Sequence, residues 1–217
     1  MSVRVKVCGL RRAEDVERCA ELGVDMYGFN CWPGSPRFVP PAALPILVRD
    51  VPAVAEVVLV FVRSPPSEIA ALVQALEVPA SRLSVQLHGD EDPREYEGVG
   101  VRVVQVLRVG AYGVPTVRAS RVLVDAHSAA FGGTGARIHE EALVRVRPLL
   151  PSEWILAGGL DAARVGAAIE RFRPWGVDVA SGVETEPGAK DHEKLGAFVA
   201  AVRLTREREE MGEGERC

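Results

Sequence analysis

Short apolar segments rich in β-branched residues recur eight times along the chain, and a helical pattern follows most of them. The predicted strands are residues 3–7, 24–30, 55–61, 83–87, 102–107, 121–125, 154–157 and 176–180. Strands that alternate with helices favour a parallel sheet covered by helices. Because no linker interrupts the eight units, the pattern predicts one α/β domain rather than two smaller ones.

The predicted helices cover residues 13–22, 42–49, 67–76, 93–97, 139–147, 162–171 and 192–206. One start signal is Asp92-Pro93-Arg94-Glu95, which offers an N-cap, a proline at the first helical position and a glutamate at the third. Pro45 falls inside the second predicted helix, so we expect a kink or a shorter helix there. Residues 109–120 give only a weak pattern, which predicts a short or degenerate fifth helix.

The repeat fits a closed parallel (β/α)8 TIM barrel and also an open doubly wound sheet of eight strands. Closure is favoured by the total length and by polar residues inside otherwise apolar strands, namely Lys6, Gln86, Gln105 and Asp178. A buried Lys6 needs an anionic partner. In a closed barrel the first and last strands are neighbours, so we predict that Asp178 pairs with Lys6.

Composition limits the function. The net charge of −4 argues against general affinity for nucleic acid or anionic membranes, and no apolar run is long enough to span a bilayer. Without a signal-peptide pattern we expect a cytoplasmic protein. The four cysteines show no CxxC pair and no zinc spacing, so no metal site is predicted. We expect a barrel domain over residues 1–206 and a charged, frayed tail over residues 207–217.

The strand tips carry the residues suited to chemistry, because active sites of parallel α/β folds lie at the carboxyl ends of strands. Cys8 ends the first strand, where an accessible thiolate can act as a base or nucleophile, although free cysteines are more often plain core residues. Arg37 lies in a stiff, proline-rich loop and can bind a carboxylate with two nitrogens. His88 ends the fourth strand, where a hydrogen-bonded wall residue is more common than a catalytic one.

Asp125 ends the sixth strand, and a glycine run that contains Gly133 and Gly135 follows it. This aspartate either caps a turn or acts as an acid with a raised pKa, and the neighbouring glycines favour the acid. Further glycine turns follow the seventh and eighth strands. They contain Gly158, Gly159, Ser181 and Gly182. Backbone N–H groups at those two strand tips are typical of phosphate sites in barrels.

In this order the motifs resemble the phosphoribosylanthranilate isomerase family of tryptophan biosynthesis. The motifs are Lys6-Val7-Cys8-Gly9, Gly34-Ser35-Pro36-Arg37, Val85-Gln86-Leu87-His88-Gly89, Leu123-Val124-Asp125, Gly132-Gly133-Thr134-Gly135, Leu156-Ala157-Gly158-Gly159-Leu160, Val177-Asp178-Val179-Ala180-Ser181-Gly182-Val183-Glu184 and Pro187-Gly188-Ala189-Lys190-Asp191. The resemblance runs from about residue 3 to residue 200.

The resemblance implies an Amadori rearrangement of N-(5-phosphoribosyl)anthranilate to 1-(2-carboxyphenylamino)-1-deoxyribulose 5-phosphate. It implies that Cys8 is the general base, that Asp125 is the general acid and that Arg37 holds the anthranilate carboxylate. His88 and the glycine-rich loops, including Gly133 and Gly135, complete the substrate contacts. The chemistry requires no metal or organic cofactor. A reference thiol has a pKa near ~8.5, so we expect nearby positive charge to favour the thiolate.

The chain departs from the family pattern at Asn30-Cys31-Trp32, Ala136-Arg137, Ala180 and His127. These departures affect the expected substrate contacts and leave the acid–base pair intact. The competing readings are another phosphosugar barrel, such as a bifunctional phosphoribosyl isomerase, and a barrel that binds a phosphosugar without turnover. The sequence leaves open a monomer or a homodimer, and whether other phosphoribosyl substrates are accepted.

Overall fold

The computed structural model describes residues 3–109, 116–125 and 140–214. Within them, eight parallel strands close into a barrel in which each strand pairs with the next and the eighth pairs with the first. The strands are β1 Arg4–Cys8, β2 Met26–Asn30, β3 Glu56–Phe61, β4 Leu83–Leu87, β5 Arg102–Arg108, β6 Arg121–Asp125, β7 Glu153–Ala157 and β8 Gly176–Val179. The predicted TIM barrel is therefore confirmed, and the open sheet is excluded.

The helices follow strands in sequence and cover the outside of the barrel. They are α1 Ala13–Glu21, α2 Leu44–Arg49, α3 Pro66–Ala75, α4 Glu140–Val146, α5 Val165–Phe172 and α6 His192–Gly214. After β4 the chain forms a 3₁₀ helix, Pro93–Val99, and after β8 it forms a short antiparallel hairpin of β9 Glu184–Glu186 and β10 Ala189–Lys190. This hairpin lies at the carboxyl-terminal end of the barrel, where β8 ends.

One local prediction is confirmed and two need correction. The second helix is shorter than the predicted residues 42–49, as expected from Pro45, because α2 begins at Leu44 and the proline occupies its first turn, where no N–H is needed. The predicted helix after β4 is a 3₁₀ helix, although Asp92 accepts a hydrogen bond from the backbone N–H of Arg94 as an N-cap does. The last helix continues past the expected end at residue 206 to Gly214. A separate tail over residues 207–217 stays a prediction.

Gln105 also differs from expectation, because its side chain lies outside the barrel. The inward residues of β5 are Val104 and Val106, which belong to the apolar cluster that fills the barrel interior. Gln105 instead donates to the carbonyl of Thr116 and accepts from the backbone N–H of Arg118. It therefore ties down the connection to β6, whose described residues, 109 and 116–120, contain no helix.

Two cores stabilise this arrangement. The larger lies between the barrel wall and the helices and contains the outward residues of the strands, such as Val7, Phe29 and Trp154. The smaller fills the barrel itself and includes Met26 and Leu123. Because side chains alternate along a strand, every second residue points inward, and the last inward residue of each strand opens onto the carboxyl-terminal mouth of the barrel.

Candidate active site

The carboxyl-terminal mouth gathers the residues that the sequence singles out. Cys8, His88 and Asp125 follow the inward parity of Lys6, Gln86 and Leu123 on their strands, and each is half-buried at a strand tip. Below them the interior is closed by fully buried Lys6 and Gln86. The site is thus a polar cup, lined at its rim by Cys8, His88 and Asp125 and at its base by Lys6 and Gln86, and the apolar core of the barrel lies beneath it.

Lys6 forms the charged base of this cup. Its side chain is completely buried, and its Nζ lies 2.8 Å from Oδ1 of Asp178, as predicted for neighbouring strands of a closed barrel. Burial acts to lower the pKa of Lys6, but the carboxylate of Asp178 and the thiol of Cys8 together raise it above its ordinary value. Lys6 is therefore an ammonium ion, and it faces both Asp178 and Cys8.

Cys8 has room for its thiol because glycine stands opposite it. Gly28 is the partner of Cys8 on β2, and a Cβ built on Gly28 would lie 3.0 Å from the sulfur of Cys8. Arg37 is also close, since Cys8 is among the groups that raise the pKa of Arg37. Two cations, Lys6 and Arg37, thus lie close to this thiol.

His88 lies near charged groups from several strands of the mouth, including Asp125, Asp178 and Lys6. Burial lowers the pKa of His88, and Arg108 lowers it further, whereas Asp125 and Asp178 act in the opposite direction. The net effect keeps the imidazole neutral. Because Asp125 and Lys6 both act on His88, and Cys8 acts on Lys6, the thiol and the carboxyl group face one shared interior.

Beneath His88, the side-chain nitrogen Nε2 of Gln86 lies 3.4 Å from Nδ1 of the imidazole. An amide nitrogen can only donate, so this contact places the imidazole proton on Nε2, toward the mouth. Above, Arg108 donates to the backbone carbonyl of His88. His88 is therefore held from both sides as a neutral hydrogen-bond donor.

The guanidinium of Arg37 is already held by a carboxylate of the protein itself. Its Nε and Nη2 donate to Oε1 and Oε2 of Glu184 at 2.9 and 2.6 Å. Lys190 donates from Nζ to the same Oε1 at 2.8 Å and to the backbone carbonyl of Cys8 at 2.6 Å. Sequence reasoning missed roles for Glu184 and Lys190. Both stand in the motifs that carry the resemblance, and that was the available signal.

The loops after β7 and β8 touch each other at the mouth. Gly158 and Gly159 have φ values of +100° and +66°, which favour glycine. A Cβ on Gly182 would lie 2.0 Å from the carbonyl oxygen of Leu160, so the loops require glycine to approach this closely. Ser181 is exposed beside them. The predicted contacts Gly133 and Gly135, with Ala136, Arg137 and His127, lie outside the described residues.

Cys31 does not join the site. Its thiol packs against the outer core and contacts the carbonyl of Phe29 at 3.7 Å, and burial raises its pKa to about 12. Among residues 3–109, 116–125 and 140–214, no group of acidic, histidine and cysteine side chains is arranged to hold a metal ion. In the same ranges, every helix is too short or too polar to cross a bilayer.

A cavity of about 330 Å³ opens at the opposite, amino-terminal mouth, between Arg4, Arg82 and Trp175. Its charged residues bind one another: Arg121 donates to Glu56 and Glu153, and Arg82 donates to the carbonyls of residues 51, 52 and 55. With these groups already paired, the cavity offers a ligand little, and the carboxyl-terminal mouth is the better candidate.

Known proteins resemble this chain over nearly its whole length. The family model of N-(5'phosphoribosyl)anthranilate (PRA) isomerase matches residues 5–201. A Bordetella petrii protein named N-(5'-phosphoribosyl)anthranilate isomerase is 39% identical over 220 residues, covering 96% of this chain and 98% of the relative. The crystal structure of phosphoribosyl anthranilate isomerase from Thermotoga maritima superposes with a TM-score of 0.80 at 28% identity, covering 93% of this chain and 98% of that one.

A further crystal structure, of phosphoribosyl anthranilate isomerase in complex with reduced 1-(o-carboxyphenylamino)-1-deoxyribulose 5-phosphate, superposes with a TM-score of 0.76 at 26% identity. It covers 93% of this chain and 98% of that chain. The similarity therefore extends from the first strand of the barrel into the last helix.

Proposed function

Because the chain belongs to the N-(5'-phosphoribosyl)anthranilate isomerase family and is an isomerase of tryptophan biosynthesis, we propose that Cys8 and Asp125 perform its two proton transfers. The reaction converts N-(5-phosphoribosyl)anthranilate to the 1-deoxyribulose 5-phosphate by an Amadori rearrangement. Asp125 gives a proton to the ring oxygen as the C1′–O bond breaks and the Schiff base forms. Cys8, as thiolate, then takes the proton from C2′, and the resulting enolamine tautomerises to the amino ketone.

The single observation that carries this assignment is the position of Lys6. A buried ammonium between Asp178 and Cys8 stabilises negative charge on the thiol, which a general base requires. Burial, with Arg108, lowers the pKa of His88 and holds its imidazole neutral nearby. A neutral His88 is suited to donate from Nε2 to a ribose oxygen without competing for the proton that Asp125 delivers.

The two charged groups of the substrate, its carboxylate and its phosphate, are each assigned to a different part of the site. Arg37 binds the anthranilate carboxylate, and the turns with Gly158, Gly159, Ser181 and Gly182 bind the phosphate through backbone N–H groups. This is supported by the related crystal structure, whose ligand carries both a carboxyphenyl group and a phosphate. The substrate is thus a small phosphoribosyl compound, handled in the cytoplasm. Two proton-transfer groups suffice for the chemistry, and monomer and homodimer both stay open.

The test follows the loss of N-(5-phosphoribosyl)anthranilate fluorescence with purified protein. Cys8→Ala and Asp125→Asn should each lower kcat by ~10²–10⁴-fold or more, with the urea midpoint of unfolding close to that of the wild type. Exposed Val54→Ser, at the amino-terminal end, is the matched control and should keep full activity. Tight ligand binding without turnover by the wild type would instead identify a non-catalytic phosphosugar-binding barrel. Turnover by both variants at the wild-type rate would refute the assigned roles.

A further inference from the structure

Glu184 is a buried carboxylate that takes no part in the two proton transfers. Only 8% of the residue is exposed, yet its oxygens accept four hydrogen bonds. Oε1 accepts from Nε of Arg37, from Nζ of Lys190 and from the backbone N–H of Gly188, and Oε2 accepts from Nη2 of Arg37. Burial acts to raise the pKa of Glu184, but the two cations lower it below its ordinary value, so the carboxylate is ionised.

The pairing leaves one edge of Arg37 available. A guanidinium presents five N–H groups in a plane, and Glu184 uses the side formed by Nε and Nη2. Nη1 makes no hydrogen bond to any residue within the described ranges. The end of the fork, formed by Nη1 and the second N–H of Nη2, is therefore free to donate two parallel hydrogen bonds to a second carboxylate.

Lys190 cannot compete for that second carboxylate. Its ammonium has three N–H groups, and these donate to Glu184, to the carbonyl of Cys8 and to the carbonyl of Ala180. Its side chain is fully buried. Two cations face one anion here, so the cluster of Arg37, Glu184 and Lys190 keeps one positive charge, and only the open edge of Arg37 presents it.

The alkyl part of Arg37 is fixed as well. Gly9 has a φ of +78°, and a Cβ built on it would lie 2.4 Å from Cδ of Arg37. The arginine stem thus lies directly on the backbone that follows Cys8. With the stem held by Gly9 and one side of the fork held by Glu184, the direction of the open edge is determined before a ligand arrives, which is the condition for strong recognition.

We propose that Glu184 is the positioning residue that aims Arg37 for end-on binding of the substrate carboxylate, and that it thereby selects phosphoribosyl amines with an ortho-carboxylate on the aromatic ring. The inference rests on the proposed role of Arg37. It assigns Glu184 no contact with the substrate; its effect passes through the arginine. Glu184 contributes to recognition of one substituent, whereas Cys8 and Asp125 act on every substrate that carries the ribose.

The experiment compares N-(5-phosphoribosyl)anthranilate with N-(5-phosphoribosyl)aniline, which lacks only the carboxylate. In Glu184→Gln the amide keeps the size of the side chain but cannot accept both bonds from Arg37. We expect KM for the anthranilate compound to rise about 10-fold or more, with kcat within about threefold. For the aniline compound, kcat/KM should change by less than about twofold. Preference for the carboxylated substrate should therefore fall about 10-fold or more.

Glu56→Gln is the matched control, because Glu56 is another glutamate paired with an arginine but lies at the amino-terminal mouth. It should lower stability and leave the substrate preference unchanged. If Glu184→Gln does not fold, Glu184→Asp, which draws the carboxylate back from Arg37, is measured instead. A merely structural role of Glu184 would lower the rates with both substrates equally, and this result would overturn the inference.

Arg37→Met separates the inference from the proposal beneath it. If Arg37→Met abolishes the preference for the carboxylate and the Glu184 variants retain it, the inference fails while the role of Arg37 stands. If Arg37→Met itself retains the preference, the proposed role of Arg37 fails, and the inference fails with it. Loss of preference in both variants, with no further loss in the double variant, supports one Glu184–Arg37 unit.

Discussion

The two mouths of the barrel both bury charged side chains, but they satisfy those charges differently. At the amino-terminal mouth Arg121, with 3% exposed, binds Glu56 with one nitrogen and Glu153 with two, and its guanidinium lies 4.5 Å from the centre of the Trp175 ring. At the carboxyl-terminal mouth Lys6 binds Asp178, while Cys8 lies within its field.

The two mouths differ in how many hydrogen-bond donors they leave for a ligand. Every nitrogen of the buried Arg121 guanidinium has a carboxylate partner within the protein, so this cluster stabilises the fold without a ligand. At the other mouth Arg37 keeps an open edge and His88 keeps its outward nitrogen. A charge cluster that is complete by itself is structural, and one that is completed by the substrate is suited to binding and catalysis.

Breaking the amino-terminal cluster should give the largest change in stability. Arg121→Met leaves Glu56 and Glu153 without their shared cation, so the free energy of unfolding should fall by about 3–5 kcal/mol. Since no substrate contact is lost, kcat/KM of the folded fraction should stay within about twofold. Urea denaturation and the fluorescence assay measure the two quantities. A large loss of kcat/KM in folded protein would show that this mouth is coupled to the site.

Space at the two mouths can be tested with a pair of glycines. In Gly28→Ala the new methyl group meets Cα and Sγ of Cys8, at built distances of 2.9 and 3.0 Å, so the thiol must move. We expect kcat to fall about 10–100-fold, because small displacements of a catalytic group are costly. Gly176→Ala, whose Cβ would lie 3.2 Å from the carbonyl oxygen of Arg4, is the control at the other mouth.

The control variant Gly176→Ala should lose about 1 kcal/mol or more of stability through overpacking and keep its kcat. Both variants are compared by urea midpoint and by kcat at one temperature. Equal kcat in Gly28→Ala and the wild type would mean that the position of the Cys8 thiol is not critical, and the role of this residue as the base would be lost with it.

Removing Lys6 should affect both stability and the pH dependence of the rate. In Lys6→Met the rate at pH 7 should fall about tenfold, because a positive charge near the thiol is lost. The Cys8-dependent limb of the pH–rate profile should move to higher pH. The variant also leaves Asp178 buried and unpaired, so it should be destabilised.

The double variant Lys6→Met/Asp178→Leu separates these effects. It removes the unpaired carboxylate, so stability should recover in part while the pH–rate profile keeps the shape of the single variant. Recovery of the wild-type profile in the double variant would show that Lys6 acts only as a structural partner of Asp178.

Sequence reasoning was successful where the covalent chain alone determines position. Strand order and side-chain parity were enough to pair Lys6 with Asp178 and to bring Cys8 and Asp125 to one mouth. Parity failed for Gln105, because β5 has valines on both faces and the pattern does not say which face is inward. Glu184 was beyond reach, because its meeting with Arg37 depends on two loops that are 147 residues apart and on no periodic pattern.

The pH dependence of stability gives the smallest effect and tests the electrostatics of the catalytic mouth. Burial and Arg108 lower the pKa of His88 in the native state, so the unfolded chain, with an ordinary histidine pKa near ~6.5, binds the proton first as the pH falls. The free energy of unfolding should therefore decrease as the pH falls below about 6.5, by no more than about 1.4 kcal/mol per pH unit for one proton. The difference in stability between the wild type and His88→Gln, measured by urea denaturation from pH 7.5 to 5, isolates this contribution.

The stability of His88→Gln relative to the wild type should increase toward pH 5. A difference that does not change with pH would mean that the native imidazole takes up its proton as readily as the unfolded one, and the neutral donor assigned to this position would have to be abandoned.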